Sequence, residues 1–220
     1  MESIPPELAI KHALSAPRIG TYEAATAASV PLTGALALYA WNAQVSAALM
    51  APLHICEVVV RNAAADAIAR VYGSNWPWQQ VFVVSLPDPT KGYNPKEELL
   101  KARIGQPNAG KVIPELKFIF WQRLFTRRFD DRIWRPHLRT IMPLLDPAKK
   151  ISELRALIYA ELDELRKLRN RIAHHEPIFL RNLADDMQKI RALIALRCPI
   201  TSAWMMHNQH ATTLMDSRPP

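Results

Sequence analysis

From Leu32 to Tyr72 the sequence is an almost continuous apolar pattern of helical character, interrupted only by Pro52. A stretch of that kind demands a core around it, and 220 residues suffice for one. Proline is tolerated in the first turn of a helix, so the pattern predicts a helix over 32–50 and a second over 52–71. Gly73 is placed to stop the second.

Composition points the same way. The hydrophobic fraction is 49%, rich in Ala and Leu, with only 6 Gly, which favours helices over strands. The 18 Pro argue against a simple bundle of long unbroken helices. Residues 1–30 predict one or two short helices broken around Pro17 and Gly20. Residues 76–95 are an excursion between helices, because the strand-like run VFVVSL has nothing to pair with. A short charged helix is expected from Pro95 to Gly105, then the loop GQPNAGK, which lacks the spacing of a phosphate-binding loop.

Residues 111–128 predict an amphipathic helix whose Phe118, Trp121 and Phe125 are core residues. A short helix carrying Trp134 follows over 130–145. The longest helix is expected over about 148–175, where Ile151, Leu154, Ile158, Leu162, Leu165, Leu168 and Ile172 step by three and four. Another runs over 182–196, with a last turn near 200–207. The fold class is all-α, one domain over 1–208, with residues 209–220 a disordered tail.

The formal charge of +8 favours an acidic partner such as nucleic acid or a membrane surface. Cys56 and Cys198 stand far apart in apolar runs and read as buried free thiols of a reducing cytoplasm. No C-x-x-C spacing suits zinc, no signal peptide is recognised, and no span of 18 apolar residues lacks a charge. The expectation is a cytoplasmic protein with no cofactor, no metal and no membrane span.

The stretch ELRKLRNRIAHHEPIF, residues 164–179, carries the chemistry. With Leu165 at zero on a helical wheel, Arg169 falls at about 40°, inside the apolar stripe where a core helix has Leu. Such an arginine must be paired, line a cleft or face a second subunit. Asn170 and His174 are four apart and share a face, and His175 lies at the stripe's other edge. Pro177 disfavours helical geometry at Glu176, which predicts both histidines in the last helical turn. There the helix dipole favours imidazolium, a suitable proton donor near neutrality. The plainer reading is a polar helix end with Arg169 bridged to a carboxylate. A second RN pair echoes the first: Glu57, Arg61 and Asn62 stand in LHICEVVVRNAA, as a helix-packing ion pair or as support for the Arg169 site.

RNRIAH, residues 169–174, matches the R-x4–6-H motif of the HEPN superfamily. With LALYAWNAQVSAALMAPLHICEVVVRNA, GKVIPELKFIFW and LRNRIAHHEPIF in order, the chain resembles the Abi-like, abortive-infection branch over roughly residues 15–180. The resemblance implies a HEPN-like helical bundle with additional helices, paired as a homodimer, and metal-independent endoribonuclease activity at a composite site. Arg169 matches the motif arginine, Asn170 the polar residue after it, and His174 the motif histidine, with His175 also in spacing. A tyrosine that partner enzymes modify in some HEPN toxins stands three residues after the histidine; here those positions are Pro177 and Ile178. Arg166, Arg171, Arg127, Arg128 and Arg132, with Lys117, Arg123, Arg135 and Arg139, offer either an RNA track beside the site or a solvated face diluted by Asp130 and Asp131. The partners expected are RNA, a second copy of the chain and an antitoxin or regulatory protein; the alternatives are a non-catalytic HEPN module that binds RNA or a nucleotide, and a helical interaction protein such as the inert partner of a toxin or a structural dimer.

Overall fold

The computed structural model describes residues 4–26 and 32–219, and among them every regular element is helical. The order is α1 (Pro6–Leu14), α2 (Ala16–Glu23), α3 (Leu32–Tyr72), α4 (Gln80–Ser85), α5 (Pro95–Ala102), α6 (Ala109–Val112), α7 (Phe118–Leu124), α8 (Arg135–Ile141), α9 (Ile151–Ala173), α10 (Leu183–Arg197), α11 (Pro199–Asn208) and α12 (Ala211–Asp216).

Helix α3 is the axis of the fold. Its 41 residues make a rod about 60 Å long at 1.5 Å per residue. The expected break at Pro52 does not occur, so the longest helix is α3 and not α9. A proline inside a helix leaves the carbonyl one turn back without its donor, at a cost of about 3 kcal/mol. Pro52 is itself buried, and the stripe Leu49, Leu53, Cys56, Val60 runs past it without interruption. Burying one such side chain contributes about 1.5–3 kcal/mol, so the apolar face outweighs the lost hydrogen bond. The helix ends where expected, at Gly73 with φ +81°. By length and composition α3 could also cross a membrane, contrary to the expectation that no segment qualifies. Here it packs against α2, α7, α8, α9, α10 and α12.

Helix α9 keeps its anticipated stripe: Leu154, Ile158, Leu162, Leu165, Leu168 and Ile172 are all buried, and Ile151 is half-buried. The first two helices break at Ser15, with Pro17 in the first turn of α2 and Gly20 inside it. Residues 27–30 of that expectation lie outside the described residues. VFVVSL is helical, in α4, after a 3-10 turn at Trp76–Trp78. The helix expected over 111–128 is confined to α7, because Pro114 sits in a separate turn and Lys117 is extended. Its aromatic residues are core all the same. Phe125 stacks on Trp134 at 4.3 Å, and the Trp134 indole donates to the Leu124 carbonyl at 2.7 Å. The segment from 130 opens with a wide helical turn (Asp130–Trp134) before α8. A buried Arg155–Asp130 ion pair, 2.9 Å, ties that turn to α9.

Cys56 is buried and its thiol is pushed up to about 12 by burial and by neighbouring Glu57. Cys198 is only half-buried, because it caps α11 by accepting the Thr201 amide.

Within the expected disordered tail, residues 211–216 form a helix, and residue 220 lies outside the described residues. Helix α12 lies on α3, Ala211 is fully buried, and the Trp41 indole donates to the Leu214 carbonyl at 2.6 Å. The Arg218 guanidinium covers the Trp41 ring at 5.6 Å. Deleting residues 209–220 will therefore lower stability by roughly 1–3 kcal/mol, read as a lower urea midpoint together with red-shifted tryptophan emission. An unchanged midpoint would make α12 an appendage.

Candidate functional site

The C-terminus of α9 is closed by a Schellman motif. The Glu176 amide donates to the Arg171 carbonyl at 2.8 Å, and the His175 amide to the Ile172 carbonyl at 3.0 Å. In this motif one residue is left-handed, and here it is His175, φ +56°, where glycine is usual. The helix thus ends at Ala173, with His174 as its cap and His175 beyond it. Both histidines stand just past the last turn, not within it. The stop comes before Pro177 can impose one, because the motif satisfies the final carbonyls first.

Three contacts hold this end. The Arg18 guanidinium of α2 donates to the His175 carbonyl at 2.8 Å. The Asn42 side-chain oxygen of α3 accepts the buried Ile178 amide at 2.8 Å. The Arg171 Nε donates to the Pro177 carbonyl at 3.2 Å, with Glu176 at 3.6 Å. Arg171 is thus occupied within the turn.

Arg169 lies at the edge of the buried stripe and is exposed, as are His174 and His175; Asn170 is half-buried. Arg169 makes no ion pair or side-chain hydrogen bond among the described residues. Its electrostatic neighbour is Glu57 on α3. Burial pushes the Glu57 carboxyl up, and Arg169, followed by Arg61 and His54, pulls it back. The expected Glu57–Arg61 ion pair is not formed; the Arg61 Nε is buried without a hydrogen-bond partner. Asn62 is exposed on the next face. The two RN stretches therefore converge, through one carboxylate that three cationic or titratable side chains share. Among the described residues, no group of three or more His, Cys, Asp or Glu could hold a metal ion.

The other arginines separate into two groups. Arg166 donates to Gln122 and to Asp163, both at 2.9 Å. Burial alone would raise the Asp163 carboxyl, but hydrogen bonds from Lys167, Arg166 and Gln122 hold it well below the usual carboxylate range. Arg139 donates to the carbonyls of Asp146 at 3.0 Å and Lys149 at 2.7 Å, fixing the turn before α9. Arg135 pairs with Asp131. Arg127, Arg128 and Arg132 remain exposed, with Arg128 donating to the Ser85 carbonyl. They surround the Arg155–Asp130 junction, and Arg155 precedes Arg169 by 14 residues, about 20 Å of helix. These three arginines are not beside Arg169.

Sequence reasoning missed the surroundings of His175. A cavity of about 290 Å³ lies there, lined by Tyr22, Tyr39, Asn42, Ser46, His175 and Glu176. Asn42 was detectable in principle, as a polar residue in the stripe Leu38, Trp41, Val45, Leu49. The contribution of α2 carried no such signal. No family model, curated protein or solved structure matches the chain.

Two outcomes follow. His175→Gly relieves the left-handed strain and raises stability by about 1 kcal/mol, while β-branched His175→Val lowers it by a similar amount in thermal melts. For Asp163, a depressed folded pKa means stability fully present above about pH 4 and lost as the pH falls through the folded value. The stability gap between wild type and Asp163→Asn, measured by urea midpoints, will shrink from pH 7 to pH 3.

Proposed function

We propose that the chain is a metal-independent endoribonuclease of the Abi-like HEPN type, acting in the cytoplasm, with its site completed between two copies of the chain. The observation that carries this reading is Arg169. It is exposed, lacks a protein acceptor among the described residues, and acts on the Glu57 carboxylate together with Arg61 and His54. A phosphodiester supplies the missing anion, and a guanidinium fork suits two of its oxygens. The resemblance of RNRIAH to the HEPN motif supports the same assignment.

In the reaction, the 2′-oxygen bonds to the adjacent phosphorus as the P–O5′ bond breaks. One base accepts the 2′-hydroxyl proton, and one acid protonates the departing 5′-oxygen. His174, with His175 as alternative or helper, serves proton transfer. Arg169 neutralises the charge developing on the phosphorane, and Asn170 orients the histidine or the phosphate. The cavity at this end is lined by His175 but not by Arg169 or His174. A second copy would supply the opposing wall and the second histidine, so that one imidazole is base and the other acid. DNA lacks the attacking hydroxyl and is not a substrate.

Purified protein incubated with RNA in EDTA is expected to cleave it. Arg169→Ala and His174→Ala should each lower the rate on the order of 100-fold or more without altering the melting temperature. Binding without cleavage would assign a non-catalytic module. A large loss of melting temperature in Arg169→Ala would make that residue structural.

A further inference from the structure

The cavity beside His175 has a fixed hydrogen-bonding polarity. Asn42 is 6% exposed, and its side-chain oxygen is committed to the Ile178 amide at 2.8 Å. That contact settles which end of the amide is which and leaves the NH2 group as the donor that Asn42, a residue lining the cavity, can offer. Among the described residues it has no acceptor. It is not sealed from solvent, so it is available to a ligand that accepts a hydrogen bond in the cavity. Glu176 lines the same cavity; its carboxylate, when ionised, only accepts, and Arg171 is 3.6 Å away. The Tyr22 and Tyr39 rings, 5.1 Å apart and steeply inclined, form an aromatic wall.

Its volume of about 290 Å³ lies at the low end for ligand pockets, which suits one flat ring system and not a dinucleotide. Unstacked RNA bases are held in this manner, against aromatic rings and by their hydrogen-bonding edges. We infer that the cavity binds a guanine base of the RNA whose phosphate lies at Arg169. Guanine accepts at O6 from the Asn42 NH2 group and donates from N1 and N2 to the Glu176 carboxylate. Uracil can set a carbonyl against the Asn42 donor and its N3–H against Glu176, but it has no second N–H on that edge. Adenine and cytosine turn an amino group towards the Asn42 donor, setting donor against donor. His175 joins the two functions: its left-handed backbone places it on the cavity wall, one residue from His174. This inference rests on the ribonuclease reading for the identity of its ligand.

The test is calorimetric titration with the four nucleoside 3′-monophosphates at one salt concentration, so that the common phosphate cancels. Guanosine monophosphate should bind at least about tenfold more tightly than the adenosine or cytidine compound, the worth of roughly one hydrogen bond. Ala43 and Ala47 line the same cavity and are exposed, so Ala43→Phe fills the space without disturbing the core; it should abolish the preference. Asn42→Asp keeps an oxygen for the Ile178 amide but removes the donor, with the same expected loss. If that variant does not fold, Ala43→Phe decides. Equal binding of all four compounds, or a preference that survives in Ala43→Phe, overturns the inference. RNA cleavage without base preference sinks the base pocket and leaves the ribonuclease standing. A guanine preference without cleavage does the reverse.

Discussion

A helix of 41 residues with no Asp, Glu, Lys or Arg before Glu57 has to be covered on several sides, and that requirement organises the molecule. Water cannot be allowed along Leu38, Val45, Leu49, Val60 and Ile68, so the shorter helices are laid around α3 in turn. The same burial keeps the rod intact through Pro52. It also explains why the last residues form a helix: Trp41 would otherwise face solvent, and α12 covers it while giving its indole an acceptor.

Against this rod, the end of α9 is held by a small number of polar contacts. A Schellman turn releases the chain, Asn42 catches it at Ile178, and Arg18 fastens the His175 carbonyl to α2. Each contact satisfies a backbone group that burial would otherwise leave bare. Together they place His175 on the wall of a cavity, one residue from His174 and with its backbone in a conformation that side chains seldom adopt. Strain of this kind persists only where the surroundings over-determine it, and three converging helices do so here.

The basic surplus looks different in three dimensions. Many of its members are spent inside the protein: Arg155 on Asp130, Arg166 on Asp163 and Gln122, Arg181 on Asp186, Arg139 on a turn's carbonyls. Among the described residues Arg169 has no such partner, and the Glu57 carboxylate on which it acts is partly buried and shared with Arg61 and His54. An excess of positive charge at one place, beside groups able to move protons, is a more specific feature than a net charge of +8.

The sequence by itself determined the helical class, the α9 stripe, the stop at Gly73 and the core placement of Phe118, Trp121 and Phe125. These follow from side-chain period and backbone chemistry, which are local. Tertiary structure alone decided that Pro52 stays inside a helix, that α9 ends at Ala173, that residues 211–216 fold, and that Arg166 is paired while Arg169 has no partner among the described residues. It also decided that Tyr22, Asn42 and His175, scattered over more than 150 residues, enclose one cavity. Each of those outcomes turns on which distant surface arrives to bury or to pair a group, and no local pattern records that.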